Sequence, residues 1–240
     1  MKIAILQTGD VAANLLAKFG DYPNMFFSLF KRAGKTKSIF SWTVFDVRKD
    51  KYPVSPYDAD GYLITGSRHG AYEPLPWIKP LSDYIRLLRA ARRPLIGICF
   101  GHQIIAQSLG GRVEKSKKGW GVGRHEWPLI RHEDWMTPTA SKLRLMAFHQ
   151  DQVMKLPFGA CRLAGNAFCP NAAYAIGGKI LGIQGHPEFS PEFTDALLQK
   201  RGADMPLATT TAAYNSLKKP INRTTCAKWM ATFFHSAAQN

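Results

Sequence analysis

Cys99 stands between an apolar run and a glycine, with His102 and Gln103 immediately after it, in the stretch LIGICFGHQIIAQSLGG at positions 95–111. The run Pro94-Leu95-Ile96-Gly97-Ile98 is short and β-branched, which predicts a buried strand ending at the cysteine. Gln103 to Leu109 then carries apolar residues at helical spacing and stops at Gly110-Gly111. A thiol at a sharp strand-to-helix turn is exposed beside unpaired helix-start N–H groups, the setting of a nucleophile. A small core cysteine fits the same stretch. The second stretch is ILGIQGHPEFS, positions 180–190, another short strand running into His186-Pro187-Glu188. Two residues apart in extended backbone, His186 and Glu188 point the same way, so the carboxylate can hold the imidazole tautomer while the ring handles a thiol proton. Together the two stretches spell a Cys-His-Glu triad with the division of roles of the serine template. A surface histidine beside a surface carboxylate remains the plainer alternative for the second.

Other titratable residues give weaker signals. His149-Gln150-Asp151 follows an apolar run and either lines the same cleft or lets Asp151 cap a turn before Val153. His102 and His69 with Cys99 could be imagined as zinc ligands, but their spacing matches no usual zinc pattern, and no metal or other cofactor is expected. His125 and His132 read as solvated-loop residues.

These motifs need strand ends to position them, and the chain supplies them. Lys2–Thr8, Trp42–Val47, Tyr62–Thr65 and the run before Cys99 read as strands, with helices over Pro23–Arg32 and Trp77–Ala91 between them; Ala12 to Pro23 reads mainly as loop. Such alternation predicts a mainly parallel sheet covered on both faces, with ligands beyond the carboxyl ends of its strands. From Arg112 to Ile183 short strands predominate (Arg112 to Ile130, Lys142–Phe148, Val153–Leu156, Arg162–Ala164, Ala173–Ile176, Ile180–Ile183), which predicts an antiparallel extension of that sheet. From about residue 191 a helical tail follows, with Trp229, Phe233 and Phe234 facing the core. The expected fold is a flavodoxin-like three-layer α/β domain over residues 1–240.

Composition narrows the class without naming a function. With 45% apolar and 20% charged residues the chain is globular rather than disordered. No apolar stretch reaches about 18 residues, so no transmembrane span is expected, and the first apolar run is too short for a signal peptide. The four cysteines form no CxxC pair, in keeping with a reducing cytoplasm. The formal charge of +15 is scattered, the densest groups being Lys115–Lys118, Arg86 to Arg93 and the tail; no nucleic-acid motif or aromatic stacking platform overlies them. A solvated face or an anionic protein partner is the expectation, not nucleic acid.

With GICFGHQ around Cys99 and GHPEF around His186 and Glu188, the chain resembles class I (triad-type) glutamine amidotransferase domains, in the manner of stand-alone members near the guanylate-synthase group. YLITGSRHGAYE, positions 62–73, takes the place of that family's glycine-rich oxyanion loop, although Gly66-Ser67-Arg68 replaces the usual Gly-Gly-Pro. The resemblance implies that Cys99 attacks the side-chain amide of glutamine to give a γ-glutamyl thioester. It further implies an oxyanion held by the Phe100 N–H and one from Gly66-Ser67, and an amino-acid end held by Gln103 and the His149-Gln150 segment. His186 then protonates ammonia and activates water. Ammonia would pass to a synthase on another chain, since no phosphate loop is present here. The alternative is a free-standing γ-glutamyl peptidase or hydrolase using the same thioester; a non-catalytic binding module ranks below both.

Overall fold

The computed structural model describes residues 1–33 and 40–239. Its frame is a seven-stranded sheet of β1 (Lys2–Gln7), β2 (Ser41–Asp46), β3 (Gly61–Ile64), β4 (Leu95–Ile98), β9 (Ala160–Ala164), β10 (Ala173–Ile176) and β11 (Ile180–Ile183), in the order β2-β1-β3-β4-β11-β10-β9. From β2 to β11 every pairing is parallel, and β10 runs antiparallel to both of its neighbours. This is the expected three-layer α/β architecture.

Both faces of the sheet are covered, which is why its central strands read as unbroken apolar runs instead of alternating ones. Ile3, Ile5, Leu63, Ile96 and Ile98 pack on one side with Phe26, Leu29 and Phe30 of α2 (Tyr22–Arg32) and with Trp229, Phe233 and Phe234 of α7 (Arg223–Gln239). Ala4, Leu6, Tyr62, Ile64 and Leu95 face the other way, against Leu81, Ile85 and Leu88 of α3 (Ile78–Ala90) and Ile104 and Ile105 of α4 (Phe100–Ser108). The tail aromatics are therefore core residues, as their spacing suggests.

Two expectations need correction. Gly20 and Pro23 do not mark a loop: they separate two helices, α1 (Ala13–Phe19) and α2. Gly20 ends α1 at φ 72° with its N–H on Leu16 O, and Pro23 occupies the first turn of α2, where a missing N–H costs nothing. The antiparallel extension is also smaller than expected. Only β9 and β10 join the sheet, whereas β5 (Arg112–Lys115) pairs with β8 (Asp151–Lys155) and β6 (Gly121–Pro128) with β7 (Lys142–His149) in two separate ribbons. With β11 already flanked by β4 and β10, the β6–β7 ribbon forms no ladder with the sheet; it packs on the sheet core through Trp127, Leu143 and Leu145 and meets its region at isolated bridges, Leu129 to Ala164 and Met146 to His186. Helices α5 (Pro191–Arg201) and α6 (Leu207–Ser216) pack against it; an added Cβ at Gly123 (φ 83°) would lie 2.9 Å from Ala213 Cα, so only glycine allows that approach.

Candidate active site

The thiol is held by a turn that few residues adopt. Cys99 has φ 52° and ψ −102° and directly precedes α4. A non-glycine residue held there costs on the order of 1–3 kcal/mol, a strain that clusters at functional sites. The surroundings enforce it. Cys99 N–H donates to Ile183 O at 2.8 Å and Gln103 N–H to Cys99 O at 3.0 Å. Gly101 lets the helix start lie on β3, since a Cβ there would sit 2.4 Å from Ile64 O. The side chain is 4% exposed, and the first-turn N–H groups of α4, Phe100 among them, have no earlier turn to bond.

His186 arrives from the neighbouring strand end. Its Nδ1 lies 2.7 Å from Glu188 Oε1, the ring stacks on Phe189 at 3.8 Å and 7°, and its backbone N–H donates to Met146 O at 2.8 Å. Glu188 occupies Nδ1, which leaves Nε2 for the neighbouring Cys99. Burial, the largest influence, pushes the imidazole pKa down; the adjacent Glu188 and Cys99 charges and hydrogen bonds outweigh it and raise the pKa well above the ordinary histidine value. The raised pKa favours the protonated ring beside a sulfur, an arrangement suited to returning a proton to a leaving group.

The Gly66 backbone abuts both groups: an added Cβ would stand 2.9 Å from His186 Cε1 and 3.8 Å from Cys99 Cβ. Gly66 O is turned inward and accepts from Thr8 Oγ1 at 3.1 Å and Thr65 Oγ1 at 3.2 Å. In a trans peptide the next N–H, that of Ser67, points the opposite way. The loop is closed by Glu73, which meets His69 Nδ1 at 2.9 Å and accepts from Gly70 N–H at 2.6 Å, and Tyr72 OH reaches across to Asp151 Oδ1 at 3.1 Å.

Cys99, Ser67, Gln103, His149 and Gln150 share the wall of one cleft of about 210 Å³. Gln103 has an inward task besides: its Nε2 donates to Asp151 O at 2.8 Å and Gln184 Oε1 at 3.1 Å, and Gln184 Nε2 approaches Cys99 Sγ at 3.7 Å. His149 directs Nδ1 to Asp151 O at 3.1 Å; burial foremost, then His125, lowers its pKa to about 3, so it is neutral. Burial also raises the Asp151 carboxyl pKa. Beyond the Gly66 loop a second cleft of about 460 Å³ opens, sharing Ser67, Arg68, His69 and Arg201 with the first.

The structure does not bring the imagined zinc ligands together. His102 is fully buried against Tyr174 and Gly182, and burial drives its pKa down to about 3, whereas His69 pairs with Glu73 in the cleft wall. No group of three His, Cys, Asp or Glu residues among those described could hold a metal ion. His132 is exposed, but His125 is not a solvated-loop residue: it lies in β6, stacked on Trp127 at 5.7 Å, and burial lowers its pKa. A strand alternating between a cleft-facing and an outer side leaves no clear apolar period around a histidine. Gln184 and Phe189 join the site without having stood out as functional candidates, although both fall inside ILGIQGHPEFS.

The glutamine amidotransferase class-I profile matches residues 26–204. The chain belongs to that family, and it is a class-I amidotransferase-type hydrolase. It is 31% identical over 184 residues to γ-glutamyl peptidase 3 of Arabidopsis thaliana, covering 72% of this chain and 71% of that one. To a subunit of the glutamine-hydrolyzing GMP synthase of Methanospirillum hungatei it is 38% identical over 112 residues, 46% of this chain and 57% of that one. The crystal structure of a glutamine amidotransferase from Thermotoga maritima superposes with a TM-score of 0.75 at 19% identity, over 100% of this chain and 98% of that one, a likeness of fold. Among the described residues no helix is long and apolar enough to cross a membrane.

Proposed function

We propose that this protein is a free-standing γ-glutamyl peptidase or hydrolase. One observation carries the reading: a larger cleft of about 460 Å³ adjoins the cleft at Cys99, the two sharing Ser67, Arg68, His69 and Arg201 in their walls. Glutamine expels only ammonia and needs no such space; an amine bearing further residues does. The match to γ-glutamyl peptidase 3 spans most of both chains, and supports the same choice.

In this mechanism Cys99 Sγ attacks the γ-carbonyl carbon. The oxyanion is met by the N–H groups of Phe100 and Ser67, the latter directed by the inward-turned Gly66 carbonyl. The tetrahedral intermediate collapses, the C–N bond breaks, and the His186 imidazolium gives its proton to the departing amine. Water then enters and gives a proton to His186, and hydroxide attacks the thioester. The C–S bond breaks, releasing the γ-glutamyl group as glutamate and restoring the thiolate. Glu188 holds the ring through Nδ1. Gln103, His149 and Gln150 line the side of the cleft where the substrate's amino-acid end fits.

A second reading makes the chain the glutamine-hydrolysing half of a two-chain enzyme, and the 38% identity to the GMP synthase subunit favours it. Its scattered positive charge would then meet an acidic synthase surface. Steady-state glutamate release from glutamine and from γ-glutamyl dipeptides, with Cys99→Ala as blank, separates the two. The peptidase reading expects brisk, unaided turnover of dipeptides and slow turnover of glutamine. Slow glutaminase activity with no dipeptide hydrolysis would overturn it.

A further inference from the structure

Helix α7 lies beyond residue 204, where the family profile ends, and its aromatic residues pack in the core. Its first residue faces elsewhere. Arg223 Nε donates to Pro187 O at 3.1 Å, and its Nη2 donates to Glu188 O at 2.9 Å. These carbonyls belong to the segment that carries His186 and Glu188. The residue before it, Asn222, is bound to β7: its N–H and Nδ2 donate to Arg144 O and Lys142 O at 2.9 and 2.8 Å, and its Oδ1 accepts from Arg144 N–H at 2.7 Å. The same strand, at Met146, accepts from His186 N–H. Strand β7, the start of α7 and the His-Pro-Glu segment therefore form a closed circuit, and Arg223 supplies its last link.

The fork is spent on backbone. No carboxylate of a described residue lies within ion-pair distance of Arg223, although Glu188 and Glu192 interact with it electrostatically. A planar guanidinium giving two charge-assisted bonds to successive carbonyls fixes the direction of the chain between them. Glu188 is 2% exposed, with Oε2 unpartnered and only Oε1 on His186. Its own side chain thus has one tether, and the backbone must hold the remainder.

We propose that Arg223 is a positioning residue for the triad: it clamps Pro187 and Glu188 so that Glu188 meets His186 Nδ1 and the imidazole meets Cys99. It acts through Glu188 and His186 and touches no substrate. The kinetic arm of the test rests on the peptidase reading; the labelling arm does not.

Arg223→Ala and Arg223→Lys are compared with the wild type in two assays. The first is hydrolysis of a γ-glutamyl anilide, with kcat expressed per active site titrated by a γ-glutamyl-like electrophile. The second is alkylation of Cys99 by iodoacetamide, read by peptide mass with the half-exposed Cys161 as internal control. The expected result is a kcat lower by about 10- to 100-fold in Arg223→Ala, the scale of one lost charge-assisted bond entering the barrier. KM stays within about twofold, Cys99 alkylation slows relative to Cys161, and Arg223→Lys, which keeps the charge but has one nitrogen in place of the fork, recovers part of both losses. A purely structural role would lower the titrated fraction and leave kcat per site and the alkylation ratio unchanged; that result overturns the proposal. If Arg223→Ala does not fold, the lysine variant decides, and wild-type values in both assays overturn it. Slower Cys99 alkylation in a protein that hydrolyses no γ-glutamyl compound upholds the clamp and removes the peptidase reading instead.

Discussion

The nucleophile and its base are held in opposite ways. Around Cys99 the strand end, the residue at φ 52° and the helix that starts at once follow one another in the chain, braced by Ile64 and Ile183 of the two adjacent strands. Around His186 the geometry is assembled from afar, from Met146 forty residues upstream, Phe189 beneath the ring, and the arginine at the start of the last helix. A strained turn braced by the two strands beside it forms with the central sheet. A base positioned by distant partners needs the completed fold, which makes it the more easily disturbed half of the site.

The largest effect is expected where the comparison ends in chemistry. Cys99→Ala removes the attacking atom and should lower kcat by about 10⁶-fold, as loss of a nucleophile does in subtilisin. Cys99→Gly should be equally inactive, and more stable than Cys99→Ala by ~1 kcal/mol, because glycine accepts φ 52° without penalty. Equal stability of the two variants in thermal unfolding would mean that the turn is not strained.

On the base side, Glu188→Gln should reduce kcat by about 10³- to 10⁴-fold, on the scale set by the serine-protease aspartate. Glu188 is the largest influence raising the His186 pKa against burial. The alkaline limb of the kcat/KM profile should therefore move to lower pH in this variant. An unmoved limb would assign that limb to another group.

Gly66→Ala tests the contact between the two halves. Its Cβ would meet His186 Cε1 at 2.9 Å, so the ring or the oxyanion loop must shift. A displacement of that order costs about 10²-fold in kcat, with little change in thermal stability. Full activity would place the loop away from the reacting atoms.

The smallest effect is on stability against pH. His102 and His149 have folded pKa values lowered to about 3 from 6.5, so the unfolded chain binds more protons between these values and stability falls as pH drops from 6.5 toward 3. His186 has a raised folded pKa, so its contribution is complete below pH 6.5 and is lost as pH rises through the folded value, about 10. Denaturant midpoints should therefore peak near neutral pH. A midpoint still climbing above pH 8 would contradict the assignment for His186.

The same contrast explains what is legible in the sequence. The nucleophile turn can be read because the strand, the cysteine and the helix it joins all lie between Leu95 and Leu109, and the sheet because apolar runs buried on two faces leave no alternation to misread. His186 and Glu188 stand out as a pair for the same local reason. Their supports at Met146 and the final helix cannot be read, since a hydrogen bond over forty residues leaves no spacing signal. The two ribbons read as extra sheet because a strand's sequence does not state its partner. Gly20 and Pro23 suggest a loop because the same residue types end one helix and begin the next.

The most direct test of the account is to trap the acyl-enzyme. Acid quenching of the wild type within its first turnovers of a γ-glutamyl dipeptide should leave a γ-glutamyl group on the peptide containing Cys99, whereas His186→Ala, which lacks the proton donor for the departing amine, should carry no adduct. None should appear on the peptides containing Cys161, Cys169 or Cys226. Glutamate release in the wild type without any such adduct on Cys99, and persisting in Cys99→Ala, would contradict it.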